Sequence, residues 1–61
     1  MNYWVEAKID LDDDSSWTLV RLFEFESDAE VWVRRESKRR GIPIKSFRMM
    51  NLETEEIKYF E

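Results

Sequence analysis

The stretch SDAEVWVRRESKRRGIP, residues 27–43, decides how the chain folds. Ser27 with Glu30 three positions on has the spacing of a capping box, in which the serine oxygen accepts from the backbone N–H near Glu30 while the glutamate reaches back. Ala29, Trp32 and Val33 then line up as one apolar stripe on a 3.6-residue wheel, and two turns later that stripe meets Glu36, Ser37 and Arg40. Gly41, the only glycine, can take a positive φ cheaply, and Pro43 is a second stop signal. The expectation is a helix of about 14 residues that starts at Ser27 and stops at Gly41. Asp28 and Glu30 open it and Lys38, Arg39 and Arg40 close it, which suits the helix macrodipole.

Outward from this helix the period changes from 3.6 to two. In YWVEAKIDL, residues 3–11, Tyr3, Val5, Ala7, Ile9 and Leu11 fall on one side and Trp4, Glu6, Lys8 and Asp10 on the other, as in a half-buried strand. DDDSS at 12–16 is turn chemistry, and WTLVRLFEF at 17–25 is rich in residues that suit a pleated surface, so the two runs read as a hairpin. Downstream, IKSFRMMNL at 44–52 reads as a third strand, 51–55 as a polar turn and EIKYF at 56–60 as a short fourth strand. The expected fold class is α+β: a three- or four-stranded antiparallel sheet with one helix, in the order β-β-α-β(-β), forming a single domain over residues 1–61.

Composition narrows the function. A 61-residue chain buries only about 60% of the surface its unfolded form exposes, and a core of that size stabilises by about 3–5 kcal/mol. There is no cysteine and no histidine, so disulfides, a thiol nucleophile, the usual zinc ligands and the commonest general base are all missing. Neither an enzyme nor a cofactor or metal protein is expected. Asp10-x-Asp12-Asp13-Asp14 resembles the start of a calcium loop, but Ser15 stands where the loop needs glycine and Arg21 where it needs a bidentate glutamate. No apolar run is long enough to span a membrane and MNYWVEAKID lacks the regions of a signal peptide, so a soluble, cytoplasmic protein with no membrane partner is expected.

The charge is dipolar. Residues 1–30 carry a net −7, residues 31–50 a net +6 and residues 51–61 a net −3. Acidic residues Asp10, Asp12, Asp13 and Asp14 on the hairpin, with Glu30, are candidates for steering toward a protein target or for imitating phosphates. Arg34, Arg35, Lys38 and Arg39 are the candidates for the alternative, a nucleic-acid-binding helix. Both faces of the sheet read as apolar, whereas one helix covers only one of them. Trp4, Phe47 and Met49, or their opposites, then form an exposed patch that marks a partner or a homodimer interface; a β-bulge in strand two, suggested by Arg21 among apolar neighbours, is the competing explanation. Trp4, Trp32 and Arg48 are the candidate anchors.

Two groups of small phage-encoded β-β-α-β inhibitors resemble this chain. The triple-aspartate hairpin and helix start of the uracil-DNA glycosylase inhibitors of Bacillus phages are similar to Asp12-Asp13-Asp14 and Ser27-Asp28-x-Glu30-Val31, with Ala29 where that family has a pocket-entering aromatic. The resemblance implies a contact role for Glu30. The podophage inhibitors of bacterial RNA polymerase resemble it in Tyr3-Trp4, an aromatic early in strand two, Asp28, Gly41 and Arg48. Ser46 falls at that family's other arginine, and Lys8 where it has a carboxylate, with Glu6 on the same face. Together these imply a non-enzymatic inhibitor that binds a host nucleic-acid-handling enzyme or defence complex in the bacterial cytoplasm. The alternatives are the nucleic-acid-binding module and a homodimeric accessory protein.

Overall fold

The computed structural model describes residues 2–10, 12, 13 and 15–61. Strands β1 (Tyr3–Lys8) and β2 (Trp17–Phe23) are followed by helix α1 (Glu26–Arg40), a 3-10 turn (Ile44–Ser46), β3 (Phe47–Asn51) and β4 (Ile57–Tyr59). The strands form one antiparallel sheet in the order β2-β1-β3-β4, so the expected α+β fold holds with all four strands paired. Among the described residues no helix is long and apolar enough to cross a membrane.

Register decides what each face carries. Tyr3, Val5 and Ala7 of β1 lie beside Asn51, Met49 and Phe47 of β3, and this inner face receives α1. Val5, Ala29, Val33, Phe47, Met49 and Phe60 are buried there, with Tyr3, Ala7, Phe23, Trp32, Ile42 and Ile44 packed around them. Phe60 is fixed by its N–H, which donates to the Phe47 carbonyl at 3.2 Å. Phe47 and Met49 are therefore core, and it is their opposites that reach the other face.

The ambiguous phase of β2 resolves into a bulge. Val5 pairs with Arg21 but Glu6 pairs with Leu19, leaving Val20 as the extra residue. On one side of the bulge Leu22 shares the outer face with Trp4; beyond it Leu19 and Trp17 do so with Glu6 and Lys8. Without it, Leu19 and Leu22, three positions apart, would fall on opposite faces.

Several local expectations change, and the second strand ends at Phe23 rather than Phe25. The helix begins at Glu26, with extended Phe25 (φ −124°, ψ 138°) as its N-cap and no side-chain cap hydrogen bond, so Ser27 and Glu30 form no capping box. Two residues separate β2 from α1, and the Phe25 carbonyl already accepts from Ala29 N–H at 3.3 Å, which places Ser27 inside the first turn. Residues 44–46 wind into a 3-10 turn closed by Ser46 N–H to the Pro43 carbonyl (2.9 Å), so the third strand starts at Phe47. The first strand ends at Lys8 and Ile9 is exposed. At the other end of α1, Gly41 takes φ 66° as expected.

Candidate protein-binding face

The outer face is crossed by two rows of side chains set by strand register. Leu22, Trp4, Met50 and Ile57 run across all four strands, and Leu19, Glu6, Arg48 and Tyr59 form the next row. Nothing in the described chain packs over it, since α1 lies on the inner face. Leu19 is 44% exposed, Leu22 38%, Ile57 42% and Tyr59 54%. Trp4 and Met50 between them are half-buried, and an apolar and aromatic surface of this kind has the composition of a protein interface core.

At the centre of this surface the Arg48 Nε donates to Glu6 Oε1 at 2.6 Å, and both side chains are largely buried. The guanidinium lies 4.4 Å from the Trp17 ring centroid, Lys8 Nζ lies 5.3 Å from that ring, and Tyr59 meets Trp17 edge-on with centroids 5.9 Å apart. Burial opposes the charge on Arg48, but its contacts with Glu6 and Tyr59 outweigh that and hold the guanidinium above its usual value. This cluster makes a preformed, rigid polar centre within an apolar surround. Beside it, the Trp4 indole Nε1 is buried with no hydrogen-bond partner among the described residues. An unmet buried donor costs about 1–3 kcal/mol, and such exceptions concentrate where function overrides stability.

The residues singled out in the sequence fall in different places. Trp4 and Arg48 share the outer face, whereas Trp32 sits on the helix against Phe23 (centroids 5.8 Å apart) with Arg21 over both rings. Asp10, Asp12 and Asp13 lie in the β1–β2 loop, and Asp14 lies outside the described residues. Their carboxylates also fold the loop: Asp10 Oδ1 accepts from Asp12 N–H (3.0 Å), and Asp13 Oδ1 accepts from the N–H (2.9 Å) and hydroxyl (2.7 Å) of Ser15. The Ser15 hydrogen bonds hold the Asp13 carboxyl below its ordinary value. Glu30 is on α1, where Lys58 of β4 pairs with it and lowers its pKa; Lys58 also meets Glu26 at 3.5 Å. Among the described acidic candidates, Glu30 thus stands on a different element from Asp10, Asp12 and Asp13.

Arg34, Arg35, Lys38 and Arg39 are exposed on α1, on the opposite layer from the outer face. Arg39 donates twice to Glu36 Oε1, at 2.9 Å and 2.7 Å, and Arg40 meets Oε2 at 2.8 Å. Glu36 is the charged residue at which the apolar stripe ends, and the Arg39 and Arg40 guanidiniums keep its carboxyl below the usual range despite its burial. Behind it a crevice of about 270 Å³ opens between α1 and the sheet, lined by Ala7, Val20, Trp32, Ile42 and Phe47.

Glu6, Trp17, Leu19, Leu22, Met50, Ile57 and Tyr59 complete the outer face, and no reading of single strands picks them out together. The alternation of Ile57 and Tyr59 against Lys58 and Phe60 was the available signal for the fourth strand. No protein-family model matches the chain, and no curated protein or solved structure matches it either.

Proposed function

We propose that the protein acts without catalysis, by occupying a protein partner through the outer face of its sheet. The observation that carries this reading is the row Leu22, Trp4, Met50 and Ile57, exposed at its Leu22 and Ile57 ends and half-buried in its middle, beside exposed Leu19 and Tyr59. A single helix satisfies one face of a sheet, and an apolar second face left open lowers solubility unless something covers it. Trp4 and the exposed apolar residues supply contact area, and the Glu6–Arg48–Trp17 cluster fixes their arrangement before binding, which reduces the ordering cost of association.

The finer form of the proposal is an inhibitor of a nucleic-acid-handling host enzyme or defence complex, of the kind made by the phage proteins that the chain resembles. Its acidic β1–β2 loop would accelerate encounter with a basic target. The test compares capture from nuclease-treated bacterial lysate by the native protein and by the folded double variant Leu22→Ser/Ile57→Ser. A stoichiometric protein retained by the first and lost by the second is expected. Equal capture by both, or recovery of nucleic acid alone, would overturn the assignment of the outer face.

A further inference from the structure

The apolar outer face is bounded at both ends by carboxylates. At the end where β1 passes into β2 lie Asp10, Asp12 and Asp13, all exposed, against Lys8 and Lys45. At the opposite end, Glu24 follows β2, and Glu53, Glu55 and Glu56 occupy the β3–β4 turn, which is tied to the N-terminus by Leu52 N–H to the Asn2 carbonyl (2.9 Å). On the face itself Glu6 and Arg48 cancel and Lys8, beside Trp17, is offset by the hairpin carboxylates, leaving an apolar middle between two acidic ends.

Resting on the reading of the outer face as a protein-binding surface, we infer that its occupant is an amphipathic helix of the partner, apolar along one stripe and basic at both ends. Charge complementarity selects it. A second copy stacked with its strands aligned would bring acidic ends against acidic ends. A nucleic-acid strand would meet the same carboxylates. Length agrees as well: six-residue β1 spans about 20 Å, so a helix of about 18 residues, roughly 27 Å long, crosses the apolar rows and sets its ends over the two acidic loops. Trp4, half-buried in the apolar row, lies beneath its path.

The experiment titrates the protein with two fluorescent 18-residue peptides that share one leucine stripe, one ending in lysines and the other in glutamates. At low salt the lysine-ended peptide is expected to bind at least tenfold more tightly, with the ratio shrinking severalfold at 0.5 M salt. The variant Asp12→Asn/Asp13→Asn/Glu55→Gln/Glu56→Gln closes the gap between the peptides, and Leu22→Ser/Ile57→Ser, checked for fold by circular dichroism, weakens both. Equal affinity for the two peptides at low salt overturns the charge assignment and leaves the outer-face reading standing. Failure of both peptides overturns the inference whatever else is found, and a dimer on sedimentation or tight binding of an oligothymidylate then identifies the competing occupant.

Discussion

Arg48 is a candidate anchor for a partner, yet its geometry makes it first a structural residue, and a double-mutant cycle with Glu6 separates the two roles. The Arg48–Glu6 contact is 2.6 Å long and the side chains retain only 20% and 13% of their exposure. A charge-assisted hydrogen bond contributes about 1.5–3 kcal/mol and the stack on Trp17 about 0.5–2 kcal/mol. Arg48→Ala removes both and strands Glu6 half-desolvated, so it should cost about 2–4 kcal/mol, a large part of the roughly 3–5 kcal/mol available to a core of this size. Glu6→Gln keeps the shape and should cost about 1–2 kcal/mol. In Glu6→Gln/Arg48→Ala neither charge is left unpaired, and the double variant should be more stable than the sum of the single losses by at least about 1 kcal/mol. Urea unfolding followed by tryptophan fluorescence reads the cycle, because Trp17 reports on the cluster directly. A loss below about 0.5 kcal/mol for Arg48→Ala, with strictly additive effects, would place the pair with ordinary surface ion pairs and refute a preformed polar centre.

Other consequences follow from the same contacts. Gly41→Ala should cost about 1 kcal/mol in urea unfolding through backbone strain alone, because φ is 66° and an added Cβ meets nothing within 4 Å. Phe47→Ala opens the centre of the core at a cost of about 3–5 kcal/mol, so its circular dichroism at 25 °C should be that of a largely unfolded chain. Glu30, Glu36 and Asp13 all have carboxyls lowered by their hydrogen-bond partners. Between their ordinary and lowered values the unfolded chain binds more protons than the folded one. Stability from these groups is therefore complete above the ordinary values of 4.5 for the glutamates and 3.8 for Asp13, and is lost as pH falls through the lowered ones. Urea midpoints should show this loss setting in only below about pH 4.5.

Element order was legible because the two periods differ so clearly in this chain: alternation over residues 3–8, a 3.6-residue stripe through Ala29 and Val33, and Gly41 as a stop. What was not legible depended on contacts that no local pattern encodes. The bulge in β2 is suggested by Arg21 among apolar neighbours, but its place at Val20 has neither glycine nor proline to announce it, and without that place the outward set of β2 cannot be assigned. The start of α1 at Glu26 is set by the two-residue link from β2, which overrides a good cap sequence at Ser27. Glu6 and Arg48 are 42 residues apart, so their pairing follows only from strand register. The i+3 and i+4 pairing of Glu36 with Arg39 and Arg40, by contrast, is written in the helix spacing itself.

The most direct test of the outer face as the working surface is site-specific photocrosslinking. A benzoylphenylalanine placed at Tyr59, on the outer face, is compared with one placed at Arg35, on the exposed helix, in the protein expressed in bacterial cells. A discrete protein adduct from position 59 and none from position 35 is the predicted result. An adduct from position 35 alone would contradict the account and move the partner to the helix.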